Sequence, residues 1–245
     1  MKKILALLLS SALILTAAGC DKKEDPANTT EVTNTIVSPV LDESTAMAVD
    51  YLKGQVPLFA AYLDIRMKYP LAYEIEVVNE NGTAYAGVYI KDEDSMAMYS
   101  KDVTGNSGRT IYDGDKLWYI EDATKTSYLK KDYPVESSKE IVASSLLRID
   151  ADSASSYTYE TGEKELDGTM YKFESITTTD DIVSEYYFDM ETGDLKVIVN
   201  GTQKTYVTML ENTVTEEPFE IPADYTEEDM QKYLDSLIAD ANNKE

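Results

Sequence analysis

From residue 72 onward the chain alternates. Tyr73, Ile75 and Val77 are separated by Glu74 and Glu76, the period of two expected of a strand with one buried face. Asn81-Gly82 supplies a hairpin turn, and residues 83–91 return as a second strand. Residues 95–103, 109–112, 116–121 and 126–130 continue the pattern, separated by polar, glycine-bearing stretches such as Asp113-Gly114-Asp115. A second series follows at 155–160, 169–178, 182–190, 195–200 and 202–210, with turns at Asp167-Gly168, Thr192-Gly193 and Asn200-Gly201. Short strands joined by such turns predict two antiparallel meanders.

Helical spacing appears in three other places. Residues 44–68 place Met47, Leu52, Leu58, Tyr62 and Ile65 among good helix formers, but Gly54 and Pro57 interrupt, so two short helices are expected. Ser137-Ser138-Lys139-Glu140 has capping-box spacing, followed by Val142, Leu146 and Ile149 on one face. Thr226 to Asp229 reads as another capping box, opening a helix to about residue 241 with Met230, Tyr233, Leu234 and Leu237 as its apolar stripe.

Tracking strand parity collects an apolar face from Tyr73, Ile75, Val77, Val88, Ile90, Met96, Met98, Trp118, Ile120, Tyr171, Phe173, Tyr186, Phe188, Leu195, Val197 and Val199. Glu74, Glu76, Lys172, Glu174, Glu185, Asp189 and Lys196 fall on the other face. A large sheet with one apolar face must curl and have its hollow filled. The candidate fillers are the helices near 44–68 and 137–149, and a ligand. The side chains offered to such a ligand are Tyr73, Ile90, Met96, Met98, Trp118, Ile120, Phe173, Tyr186 and Phe188. A hollow lined by methionine and aromatic rings suits an apolar molecule; the competing reading is a core closed by the protein's own helices.

The N-terminus changes the picture. Lys2 and Lys3 precede an apolar run from Ile4 to Leu15 and the small residues Ala17-Ala18-Gly19, and the next residue, Cys20, is the only cysteine of 245 residues. Residues 1–19 have the layout of a secretory signal peptide and are too short to span a bilayer. The small residues before Cys20 resemble the lipobox of bacterial lipoproteins, which implies a diacylglycerol-modified Cys20 as the first mature residue and a membrane anchor. Residues 20–43, rich in Asp, Glu, Thr, Asn and Pro, are expected to be a flexible tether, leaving 44–245 as a single domain. The expected location is the outer side of a cell membrane.

Charge and composition narrow the function. The net charge of −24 becomes −26 when Lys2 and Lys3 are removed with the signal peptide. Such a surface repels nucleic acid and anionic lipid headgroups at short range, so neither is expected as a direct ligand. There is no histidine, which removes imidazole bases, Ser-His-Asp systems and imidazole metal sites. Gly105-Asn106-Ser107-Gly108 is followed by Arg109 where a nucleophile elbow has glycine, and reads as a hairpin turn. Asp92-Glu93-Asp94 and Asp180-Asp181 lack the spacing of a calcium loop. No enzyme activity, metal or cofactor is expected, and no protein partner is identified.

Several segments together resemble a known group. Ile111 to Ile120 (IYDGDKLWYI) followed by Lys125-Thr126-Ser127-Tyr128, then Tyr187-Phe188-Asp189 with Thr192-Gly193-Asp194-Leu195, and finally Pro218 to Tyr225 (PFEIPADY) are similar to the exported half-barrel proteins of the LolA/LolB-like superfamily. The resemblance covers roughly residues 45–225. It implies an α+β fold, a strongly curved, unclosed antiparallel sheet wrapped around helices on its concave side, with a cavity for acyl chains. The soluble carriers of that group lack a lipid anchor, and Arg66, Arg109 and Arg148 match no carrier's functional arginine. A stationary lipoprotein that binds lipid or another hydrophobic ligand is therefore expected; the alternative is a structural or protein-interaction lipoprotein of the envelope with a closed core.

Overall fold

The structure is a computed structural model that describes residues 43–137, Ile141 and residues 151–242. The expected signal peptide, Cys20, the tether and most of the helix expected at 137–149 lie outside these residues. No helix among the described residues is long and apolar enough to cross a membrane.

Two helices come first, α1 (Glu43–Lys53) and α2 (Pro57–Arg66). The chain breaks between them where the sequence carries Gly54 and Pro57. Proline is tolerated in the first turn of α2 because its missing N–H would have had no helical partner there. Val56, between the helices, is fully buried.

The first meander runs through β1 (Leu71–Asn79), β2 (Gly82–Ile90), β3 (Ser95–Lys101), β4 (Ser107–Asp113), β5 (Lys116–Glu121) and β6 (Thr126–Lys130). After helix α3 (Ala151–Ser156), the second runs through β7 (Thr158–Leu166), β8 (Thr169–Thr177), β9 (Val183–Phe188), β10 (Leu195–Asn200) and β11 (Gln203–Glu211). Asp167 and Gly168 both adopt positive φ, 51° and 82°, the twist that a two-residue hairpin needs to match its strands.

β11 returns to lie beside β1, so both meanders belong to one curved, unclosed sheet of twelve strands, ordered β12-β6-β5-β4-β3-β2-β1-β11-β10-β9-β8-β7. The twelfth strand, β12 (Thr226–Asp229), pairs parallel with β6, and α4 (Met230–Asn242) follows directly. The capping-box spacing predicts a helix from Thr226. Instead these residues satisfy their backbone groups on the open edge of β6, and the cap comes from Asp229, whose Oδ1 accepts the Lys232 N–H at 3.0 Å.

One sheet face packs against α1, α2 and α3. A row of directly paired residues, Leu71, Ile90, Met96, Tyr112 and Leu117, crosses β1 to β5 on this side. It meets Leu52, Phe59 and Leu63 of the helices in one core. Each such side chain contributes roughly 1.5–3 kcal/mol on full burial. Arg66, at the end of α2, is only 3% exposed. Its guanidinium lies 4.0 Å from the centre of the Tyr73 ring, while Nε and Nη1 have no hydrogen-bond partner.

The single apolar face expected from parity is divided between two faces. Trp118 pairs with Ile111, and Ile120 faces the same way. Both belong to the outer face, in a cluster with Ala97, covered by Phe219, Ile221 and Tyr225. The strand reads Leu117-Trp118-Tyr119-Ile120, apolar on both sides, so alternation does not choose, and the strap at 217–225 does. Phe173 and Tyr171 lie on the outer face as well, around Tyr187 and Val197. Val197 and Val199 separate from Leu195 because the β10 register shifts between Leu195 and Val197, and one extra residue in a strand turns every later side chain over. Lys172 and Glu174, expected on the polar side, take the helix-facing parity, paired with Phe188 and Tyr186.

Candidate functional site

The helix-facing side of the sheet is covered unevenly. Over β1, β2 and β8 to β11 it meets α1, α2 and α3. Toward β3 to β6 it meets α4 instead, and a groove of about 280 Å³ remains between them. Volumes near this sit at the lower end of those that hold small molecules.

The position of α4 follows from the pairing of β12 with β6, which delivers the chain to Met230 at the sheet edge. Met230, Tyr233 and Leu234, at i, i+3 and i+4, lie on one side of the helix and form the groove's outer wall. Tyr233 stacks on Tyr128 with ring centres 3.9 Å apart, and Tyr128 lies 6.1 Å from Tyr119 at 19°. This ladder of rings ties α4 to β6 and β5. Met98 of β3, Thr110 and Tyr112 of β4, and Leu117 and Tyr119 of β5 form the floor. Tyr133, after β6, closes one end, its ring 5.8 Å from that of Tyr112.

The phenols of Tyr112 and Tyr119 are pushed up to about 12, chiefly by burial. Both stay neutral at physiological pH and present the groove with rings and hydroxyls. Tyr233 is raised for the same main reason. Among the described residues Lys130 is the one charged lining residue. The described residues of the groove thus offer apolar contact area, a few hydroxyls and a single cation.

A second hollow of about 480 Å³ lies between the strands and residues 213–218. Its walls are more polar: Glu74, Glu211 and Glu217 stand there with Tyr89 and Arg109. Tyr89 donates its hydroxyl to Glu74 Oε1 at 2.6 Å, and Arg109 donates from Nη1 to the Glu220 carbonyl at 3.2 Å. Among the described residues no three carboxylates converge as a metal ion would require.

The residues singled out in the sequence are dispersed. Ile90, Met96 and Phe188 are fully buried in the helix-packed core with Tyr73. Tyr186 lies against Phe59, ring centres 4.4 Å apart. Trp118, Ile120 and Phe173 are on the outer face. Met98 lines the groove. Sequence reasoning missed Tyr112, Leu117, Tyr119 and Tyr133 as lining. The α4 stripe was visible in the sequence, but nothing local in it says that the helix docks beside β6.

No protein-family model and no curated protein matches the chain. Similar solved structures include an uncharacterised conserved protein from Thermus thermophilus, at 11% identity and TM-score 0.39, covering 71% of this chain and 97% of that one. MucB is similar at 13% identity and TM-score 0.40, covering 71% of this chain and 64% of that one. The Pseudomonas aeruginosa MucA/MucB complex is similar at 12% identity and TM-score 0.39, with coverage of 73% and 62%. The chain thus spans just under two thirds of these MucB chains. At these identities and scores the likenesses carry no inference about activity or partners, which rests on the groove itself.

Proposed function

We propose that the protein is an extracytoplasmic lipoprotein, anchored through Cys20, that holds lipid or another hydrophobic ligand in the groove between β3–β6 and α4. In this reading the helices occupy the concave side of a half-barrel without filling all of it. The protein acts as a binding module with no catalytic role. The observation that carries the proposal is the groove's lining by Met98, Tyr112, Leu117, Tyr119, Met230 and Tyr233, which leaves apolar surface unfilled by the protein's own core. Unfilled apolar surface is stabilised when a ligand excludes water from it, by about 25 cal/mol per Å².

The test is native mass spectrometry of the full chain carrying Cys20→Ser, purified from bacterial cells without detergent, with organic extraction of whatever is bound. A stoichiometric apolar adduct is expected, and Leu117→Asp, which places a charge in the groove floor, is expected to abolish it with the circular dichroism unchanged. An adduct-free protein that also takes up no added lipid would sink the proposal and favour a protein-interaction role.

A further inference from the structure

The groove departs in charge from the chain that builds it. The sequence carries 46 Asp and Glu against 22 Lys and Arg, yet among the described residues the lining includes no carboxylate and one cation, Lys130. Lys130 leaves β6 directly opposite Leu117 of β5 and is exposed. Its Nζ lies 5.7 Å over the Tyr133 ring, and it enters none of the ion pairs among the described residues. A lysine so placed lays its stem along apolar surface and keeps its ammonium in water at the rim.

Apolar floor and rim cation are adjacent, and that adjacency has chemical meaning. A neutral apolar molecule would use the floor and leave Lys130 idle. An alkylammonium would set its charge against Lys130. A chain with a negative head satisfies both parts at once. The carboxylates of Glu121 and Asp122 act on Tyr119 from beside the groove, while charges farther off than the Debye length of about 8 Å are largely screened at physiological salt; at the rim itself the charge among the described lining residues is Lys130.

We propose that the groove selects amphiphiles with an anionic head, a carboxylate or a phosphate, held at Lys130 while the alkyl chain lies along Met98 and Leu117. The inference rests on the groove reading above and adds the class of headgroup.

The experiment titrates the full chain carrying Cys20→Ser, at 20 mM and 300 mM salt, with four probes of equal chain length below their micelle concentrations: dodecanoate, dodecyl phosphate, dodecyl maltoside and dodecyltrimethylammonium. Dodecanoate and dodecyl phosphate are expected to bind about fivefold more tightly than the maltoside, the size of an exposed charge pair, with the preference shrinking at high salt. Lys130→Gln is expected to remove the preference, and Lys130→Glu to reverse the order of the anionic and cationic probes. Tighter binding of dodecyl phosphate alone would identify the head as phosphate, and parity of the two anions a generic anion site. Equal affinity for all four heads, unmoved by Lys130→Gln, would overturn the headgroup inference and leave the groove reading standing. Failure of every probe to bind would overturn the groove reading, and this inference with it.

Discussion

The Glu174 carboxylate of β8 accepts the backbone N–H of Phe59 at 2.7 Å through Oε2, across 115 residues of sequence, and the Leu58 N–H at 3.0 Å through Oε1. A side chain from the middle of one meander therefore caps the first turn of α2, whose N–H groups have no helical acceptors. Glu174 is 2% exposed, and the two N–H donors are what make its burial tolerable. It ties the helices to the far half of the sheet.

Glu174→Ala is expected to cost about 2 kcal/mol, since charged hydrogen bonds are lost and two N–H groups left unmet. That corresponds to a Tm lower by roughly 4–8 °C in a domain of this size. Burial, the larger influence, raises the carboxyl above its ordinary range, and the two N–H donors offset it in part. The native state therefore keeps its proton at pH values where the unfolded chain, titrating near 4.3, has lost it. The stability linked to this group is full below that value and declines as pH rises through the folded one. Comparing Tm of the native sequence with Glu174→Gln between pH 4 and 7 should show the native protein losing ground to the variant as pH rises; a flat difference would refute the assignment.

Arg66 is buried with Nε and Nη1 unpaired. Its contact with the Tyr73 ring recovers about 2 kcal/mol, less than the several kcal/mol of desolvation an unpaired ion carries. Arg66→Met, which keeps the volume without the charge, is expected to raise Tm by several degrees in a thermal melt. A fall would show that the guanidinium is net stabilising.

Trp118 is the only tryptophan and sits under the strap with Phe219, Ile221 and Tyr225. The Tyr225 hydroxyl donates to Asp122 Oδ1 at 3.0 Å, fastening the strap to the sheet. Phe219→Ala, which removes a half-buried ring, should cost about 1 kcal/mol and shift Trp118 emission to longer wavelength. Unchanged emission would mean that the strap does not shield the indole.

Cys20→Ser tests the anchor. Detergent-phase partitioning of cells expressing the native sequence should place the protein with the membrane lipids, and the variant in the aqueous phase, as expected for loss of two acyl chains. Partitioning of both into the same phase would show that Cys20 carries no anchor.

Much of the sheet was legible from local signals. The alternation around Tyr73, Ile75 and Val77, the turn residues at Asn81-Gly82 and Asp167-Gly168, and the break at Gly54 and Pro57 each act within a few residues of chain, where backbone geometry is decided. They determined the strands, their hairpins and the paired helices at the start. The sides on which residues lie were decided elsewhere. Leu117 to Ile120 is apolar on both faces, and the choice falls to whichever cover arrives, α4 on one side and the strap at 217–225 on the other. The register shift between Leu195 and Val197 reverses Val197 and Val199, and the strand carries no local mark of it. Glu174 reads as a surface acid until α2 brings Leu58 and Phe59 to it. The groove belongs to this second class, because its floor comes from β3 to β5 and its wall from a helix more than a hundred residues later, which is aimed by the pairing of Thr226–Asp229 with the edge of β6. Local periodicity specified the elements of this protein; the long-range pairing of strand edges decided which faces are covered and where a ligand-sized space is left.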